Sequence, residues 1–134
     1  DAGHKIGERI IVLDNIYKIR AALSNWIADK DISAILVTGG TGFSGRDSTP
    51  EAVKPLFDKN IDGFGEIFRY LSHGEIGSST IQSRALAGVA NNTTIFCIPG
   101  STGACKLAWN ELIKEQLDSS HQPCNFVGAF RSKD

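Results

Sequence analysis

Ile35-Leu36-Val37-Thr38-Gly39-Gly40-Thr41-Gly42 is followed, three residues later, by Arg46-Asp47-Ser48-Thr49-Pro50-Glu51-Ala52. A short apolar run closed by glycines reads as a buried strand of a parallel sheet, and ligands of such sheets sit beyond the carboxyl ends of the strands. The order is therefore strand, glycine-rich loop, carboxylate, helix start, which makes the loop the first place to look for function. Glycines allow positive φ and close backbone approach, so a run of them after a strand forms a concave nest of N–H groups suited to phosphate.

Two phosphate-binding patterns nearly fit. Gly40-Thr-Gly42-Phe-Ser-Gly45 satisfies G-x-G-x-x-G, but the dinucleotide fold opens its helix at those glycines, whereas here Pro50, a natural first helical residue, comes later. The glycine spacing of a P-loop is also met, yet Arg46-Asp47 stands where Lys and Ser/Thr would grip phosphate and magnesium. An ordinary strand-to-helix connection needs one or two glycines rather than four with an interleaved Asp.

At 134 residues the chain is expected to form a single domain, 1–134, large enough to build a core without disulfides or metal. Lys and Arg number 14 against 15 Asp and Glu, a net charge of −1, which excludes a broadly basic nucleic-acid surface. Cys97, Cys105 and Cys124 are odd in number, far apart and without a C-x-x-C, so they read as reduced thiols of a cytoplasmic protein. No signal peptide or membrane-spanning run is seen. Asp1-Ala2-Gly3-His4 reads as a helix tail with Gly3 at its C′ position, which implies that at least one strand and helix precede it.

Outward from the loop, Arg9-Ile-Ile-Val-Leu13 reads as a strand ending at Asp14. Asp14 or Asn15 caps a helix with Ile16, Ile19, Leu23, Trp26 and Ile27 at helical spacing, to about Asp29. With 34–38 this predicts a right-handed βαβ unit. Ser48 or Thr49 caps a helix to about Phe57. Gly63-Phe-Gly65-Glu66 leads into an amphipathic helix ending near His73. Residues 85–90, the Asn91-Asn92 turn and residues 93–98 resemble a hairpin, because an Asn pair supplies the positive φ values such turns need. Pro99-Gly100-Ser101 precedes a last helix, about 102–117. The fold class expected is α/β: a mostly parallel three-layer α/β/α sheet with one antiparallel hairpin strand.

Asp14, residues 38–47 and Pro99-Gly100-Ser101 would then share one edge of the sheet, with two helix N-termini beside them. Each also has a plainer role available. Asp14 and Ser101 serve equally as N-caps, Ser83 as a cap, Glu66 as a first-turn acid and Arg84 as a surface cation. Asp47 is harder to dismiss, since a carboxylate beside a phosphate nest is repelled by the ligand unless a cation lies between them. His4, His73 and His121 are scattered, which argues against a catalytic histidine.

Thr38-Gly-Gly-Thr-Gly42, Asp47 with Thr49-Pro50-Glu51-Ala52, Gly63-Phe-Gly65-Glu66, Ser83-Arg84 and Pro99-Gly100-Ser101 together resemble the molybdopterin-binding family of molybdenum cofactor biosynthesis. That family includes the molybdopterin adenylyltransferases and the protein B group. The segment 77–91 and the tail Gln122-Pro-Cys-Asn-Phe126 are most similar to the protein B group, and the resemblance spans nearly the whole chain. It implies that Thr38, Gly39, Gly40, Thr41 and Gly42, with Pro99, Gly100 and Ser101, hold the phosphate and pterin of molybdopterin or the nucleotide. Glu66, Ser83 and Arg84 join them as binding residues. Asp47 matches a catalytic carboxylate of the adenylyltransferases and Asp14 a second one, together the expected Mg²⁺ ligands. The family's first strand, with its Ser/Asp-rich loop, has no counterpart here, and Ser101-Thr102 replaces the Asn-Pro of many adenylyltransferases. The implied reaction is transfer of AMP from Mg²⁺-ATP to the terminal phosphate of molybdopterin, and the non-catalytic alternative is a molybdopterin- or precursor-binding protein. The resemblance further implies a cytoplasmic homo-trimer or homo-hexamer that works with other proteins of the pathway. Residues 67–71 are read as part of an oligomer interface or of the core.

Overall fold

The computed structural model describes residues 3–127. Chain order is α1 (Ile16–Ala28), β1 (Ala34–Thr38), α2 (Thr49–Val53) continued by a 3₁₀ turn (Lys54–Leu56), β2 (Lys59–Asn60), α3 (Asp62–Ile76), a 3₁₀ stretch (Gly77–Gln82), β3 (Leu86–Ala90), β4 (Thr93–Ile98), α4 (Thr102–Ala108), a π-helical turn (Trp109–Ile113) and α5 (Lys114–Gln116). The strands lie in the order β1-β4-β3-β2. β1 runs parallel to β4, with Ile35 opposite Ile95 and Thr38 opposite Ile98. β3 is antiparallel to both β4 and β2.

Burial explains the layering. All six residues of β4 are buried, so this central strand is covered on both faces. On one face Ile35, Ile95 and Cys97 pack with Ile19 and Leu23 of α1 and with Ala52 and Val53 of α2. On the other, Phe96 and Ile98 pack with Phe64 and Phe68 of α3, Ala108 and Ile113. The Phe64 ring stands edge-on to Phe96 with centroids 5.1 Å apart. Phe68 and Phe96 are fully buried, and each contributes roughly 2–3 kcal/mol of hydrophobic stabilisation. Three layers, α/β/α, result.

Local signals account for most boundaries. The Asn15 carboxamide oxygen accepts from the N–H groups of Tyr17 and Lys18 at 2.9 and 3.0 Å, so Asn15 is the cap of α1. Asn91 and Asn92 take φ of 49° and 59°, the conformation a tight hairpin turn demands, and β3 and β4 pair across them. Gly3 has φ of +83°, and Asp1 and Ala2, the rest of the segment read as a helix tail, lie outside the described residues.

One expected element does not form. Arg9–Leu13 joins no ladder, so the βαβ unit anticipated through it is absent from the described sheet. A β-branched run becomes a strand only where another strand accepts its N–H and C=O groups. The residues just before Arg9–Leu13 are held by side chains instead. The Glu8 carboxylate accepts from the Trp26 indole N–H at 2.7 Å on the α1 side. The His4 ring packs edge-on to Trp109 on the other side, with centroids 6.1 Å apart. Ile6, Ile11 and Leu13 are left exposed. Among the described residues, β1 is therefore paired on one side only.

β2 and the 3₁₀ stretch 77–82 carry no clear sequence signal. β2 forms because Lys59 and Asn60 lie opposite Val89 and Gly88. The segment 67–71 divides between its two readings: Phe68 is core, whereas Ile67 and Tyr70 are 47% and 77% exposed. No helix among the described residues is long and apolar enough to cross a membrane.

Candidate functional site

The parallel pairing of β1 and β4 sends both strands off the same edge of the sheet, and their following loops touch. The Gly39 N–H donates to the Ile98 carbonyl at 2.9 Å. A Cβ on Gly100 would lie 3.4 Å from the Gly39 Cα, so the Thr-Gly-Gly-Thr-Gly loop and the Pro-Gly-Ser turn are in van der Waals contact.

The loop is shaped by residues that follow it. Gly39 and Gly40 have φ of +95° and +72°, a region that costs an L-residue. This folds the chain back so that the Thr49 hydroxyl donates to the Gly39 carbonyl at 2.9 Å and the Thr49 N–H to the Gly40 carbonyl at 3.1 Å. Further along, the Asp47 carboxylate turns back to accept from the Ser44 N–H at 2.9 Å. It passes so near Gly42 that a Cβ there would sit 2.8 Å from Asp47 Oδ2. Hydrogen bonds from Ser44, with the Arg84 charge and the Gly42 N–H as smaller contributions, hold the Asp47 carboxyl below the usual carboxylate range. It is an anion throughout the physiological range.

Between this loop, the Pro-Gly-Ser turn and α3 lies a cleft of about 280 Å³. Gly40, Thr41, Gly42 and Asp47 form one end, with Pro99, Gly100 and Ser101 facing them. At the other end Ile76 provides apolar surface, with the buried Phe68 behind it, and Ser72, Ser79, Gln82 and Ser83 supply polar groups. Ser72 is 5% exposed and lies on the cleft wall. The cleft thus offers backbone amides and one carboxylate at one end, and hydroxyl and amide groups beside an aliphatic side chain at the other.

The expected residues divide four ways. Gly40, Thr41, Gly42, Asp47, Ser83, Pro99, Gly100 and Ser101 line the cleft together. Thr38 and Gly39 lie at the end of β1 and start of the loop without lining it, and Gly39 acts through its contacts with Ile98, Gly100 and Thr49. Asp14 and Glu66 are exposed and outside the lining, Asp14 on the non-strand segment before α1 and Glu66 in α3. Asp14 loses its expected position at a strand end because Arg9–Leu13 is not a strand. Ser101 caps α4, accepting from the Ala104 N–H at 3.1 Å, while Ser48 precedes α2 with no cap bond from its side chain.

Arg84 stands behind the loop rather than in the cleft lining. Its Nε donates to the Gly42 carbonyl and its Nη2 to the Asp47 carbonyl, both at 2.9 Å, and its Nη1 pairs with the Glu51 carboxylate. Its own N–H donates to the Thr41 carbonyl, and its guanidinium lies 5.1 Å from the centre of the Phe43 ring. That ion pair holds Glu51 below its ordinary carboxyl range.

The sequence reading passed over Phe68, Ser72, Ile76, Ser79 and Gln82. Phe68, Ser72 and Ile76 recur every four residues, the spacing of one helix face, and this was the available signal. Ser79 and Gln82 lie in the 3₁₀ stretch, which no periodicity marks.

No group of three or more His, Cys, Asp or Glu side chains that could hold a metal ion occurs among the described residues. One lining carboxylate suits Mg²⁺ delivered with nucleotide phosphates, since Mg²⁺ commonly takes one or two carboxylates and completes its shell with phosphate and water. It does not suit a resident metal held by protein alone.

Residues 1–119 match the family described as "Probable molybdopterin binding domain". The chain is 56% identical over 126 residues to "Molybdenum cofactor biosynthesis protein B" of Escherichia coli (strain K12), covering 94% of this chain and 74% of that one. It is 53% identical over 109 residues to the protein of that name from Staphylococcus aureus (strain N315), covering 81% of this chain and 64% of that one. Among solved structures, one titled "Crystal structure of Molybdenum cofactor biosynthesis protein B" superposes with a TM-score of 0.83 at 45% identity, over 87% of this chain and 73% of that chain. The tungsten cofactor synthesizing protein MoaB from Pyrococcus furiosus gives 0.70 at 38% identity, over 78% and 66%.

Proposed function

Because this chain belongs to the molybdopterin-binding family of molybdenum cofactor biosynthesis proteins, we propose that its cleft binds molybdopterin and carries AMP transfer from Mg²⁺-ATP to the terminal phosphate of that pterin. The observation that carries the reading is the meeting of the glycine loop and the Pro-Gly-Ser turn in one cleft whose far end is polar and apolar by turns. Phosphate belongs at the glycine end, where backbone N–H groups concentrate. The flat heterocycle belongs at the other, against Ile76, with Ser72, Ser79, Gln82 and Ser83 available to its ring nitrogens and oxygens.

In the reaction a terminal phosphate oxygen forms a bond to the α-phosphorus of ATP as the bond from that phosphorus to the β-bridging oxygen breaks. Pyrophosphate leaves with the bonding electrons. The attacking phosphate is already ionised near neutrality, so no general base is needed, and the work is positioning two polyanions. Mg²⁺ carried with the nucleotide supplies charge neutralisation, and Asp47 is the cleft residue that would hold it. The loop amides and Ser101 orient the pterin phosphate towards it.

A second reading draws on Asp14, which does not line the cleft, and on Ser101-Thr102 in place of Asn-Pro. With one cleft carboxylate rather than two, the protein binds molybdopterin or its precursor without turnover. Both readings place it in the cytoplasm as a homo-trimer or homo-hexamer beside other proteins of the pathway. Pyrophosphate release is measured with molybdopterin and Mg²⁺-ATP, for wild type and Asp47→Asn, against a control lacking pterin. Release that requires the pterin and falls at least 100-fold in Asp47→Asn is the expected result. Molybdopterin binding without release establishes the second reading, and no binding at all sinks both.

A further inference from the structure

We infer that Arg84, Glu51 and Arg20 form a brace that sets the glycine loop in its ligand-accepting shape, so that Arg84 serves the ligand as a positioning residue rather than as a charge in contact with it. The inference rests on the molybdopterin-binding reading of the cleft.

All three guanidinium nitrogens of Arg84 are committed to the protein: Nε to Gly42, Nη2 to Asp47 and Nη1 to Glu51. The two carbonyls it grips bracket residues 43–46, the exposed tip of the loop. Because a peptide unit is planar, fixing its carbonyl direction fixes the N–H on the other side of the same bond. Arg84 therefore orients the peptides that follow Gly42 and Asp47, on both flanks of that tip.

The clamp is itself anchored. Glu51 receives Arg84 on its carboxylate, while its backbone carbonyl accepts from Nη2 of Arg20 at 2.9 Å. Nε of Arg20 reaches the Ala52 carbonyl at 2.8 Å. These two carbonyls belong to the five-residue helix α2. A helix this short leaves its last carbonyls without intrahelical partners, and Arg20, rooted in the packed helix α1, satisfies two of them. Loop, α2 and α1 are joined through one glutamate, in a fork geometry that lysine cannot reproduce.

The sign of the effect at Glu51 separates this role from simple electrostatics. Removing a negative charge beside an anion site strengthens anion binding if only the field matters. In the brace it loosens the hold on Arg84, because a neutral amide accepts less strongly than a carboxylate, and so weakens binding. The experiment measures molybdopterin affinity of the full chain by equilibrium titration, for wild type, Arg84→Lys, Glu51→Gln and Arg20→Ala. Each is paired with a thermal melt and with amide exchange over residues 39–47. Expected are a loss of about tenfold or more in Arg84→Lys, at least threefold in Glu51→Gln, a smaller loss in Arg20→Ala, and faster loop exchange in all three. Near wild-type affinity in Arg84→Lys, or tighter binding in Glu51→Gln, overturns the proposal. A wild type that binds no molybdopterin refutes the functional reading and the ligand half of the brace, while unchanged loop exchange in Arg84→Lys refutes the brace by itself. If Arg84→Lys does not fold, Glu51→Gln decides alone, since the direction of its effect is opposite under the two roles.

Discussion

Gly39 and Gly40 both hold positive φ, yet alanine should be tolerated very differently at the two positions. At Gly39 a Cβ meets nothing within 4 Å, so Gly39→Ala adds only the left-handed penalty of an L-residue, about 1–2 kcal/mol. At Gly40 the same penalty applies, but the new Cβ would stand 2.3 Å from Thr49 Oγ1 and 3.2 Å from its Cβ. Thr49 is buried and cannot simply swing away. Moving it breaks the 2.9 Å bond to the Gly39 carbonyl, about 1 kcal/mol, and disturbs the first turn of α2. Gly40→Ala is therefore expected to cost about 3 kcal/mol, some 1–2 kcal/mol more than Gly39→Ala. The assay is urea unfolding followed by the fluorescence of Trp26 and Trp109, at fixed protein concentration because any assembly makes apparent stability concentration-dependent. A double-mutant cycle with Thr49→Ala isolates the steric part: removing the obstructing hydroxyl should make the double variant at least 1 kcal/mol more stable than the sum of the singles predicts. Equal costs at Gly39 and Gly40, or strict additivity with Thr49→Ala, would show that Thr49 does not set the loop.

Two further predictions concern titrating groups. Asp47 and Glu51 are both depressed, the first chiefly by hydrogen bonds from Ser44 and the second by Arg84, so each adds stability above its unfolded pKa that is lost as pH falls through its folded value. Unfolding free energy should thus fall on acidification below about pH 4, less steeply in Glu51→Gln than in wild type, and an identical slope in the two would remove Glu51 from the account. Cys97 is buried and its thiol is pushed up to about 12, whereas Cys124 is exposed and Cys105 half-buried. A thiol reagent at pH 8 should modify Cys124 first and Cys97 only after unfolding, and native labelling of Cys97 would contradict its place in the core.

The local chemistry of the chain was legible where one residue type answers one backbone demand. Asn91-Asn92 announced the hairpin because those side chains tolerate positive φ, and they do adopt it. The glycine loop was recognisable because four glycines interleaved with an Asp serve no ordinary connection. Arg9–Leu13 shows the limit of this kind of reading. Its β-branched pattern is that of a strand, but a strand is a property of two segments, and Glu8 and His4 tie this one to Trp26 and Trp109 instead of a ladder.

The candidate site divides along the same line. Sequence by itself determined the family, the α/β class and the two loops that face each other, since strand, turn and cap signals act over a few residues and the motifs are ordered along the chain. Tertiary structure decided which residues share the cleft. It added Phe68, Ser72 and Gln82, left Asp14 and Glu66 outside, and bonded the Arg84 guanidinium to Gly42, Asp47 and Glu51. The reason is geometric: whether a guanidinium meets a ligand or a carbonyl depends on acceptors up to 42 positions away in the chain, and only packing sets those distances.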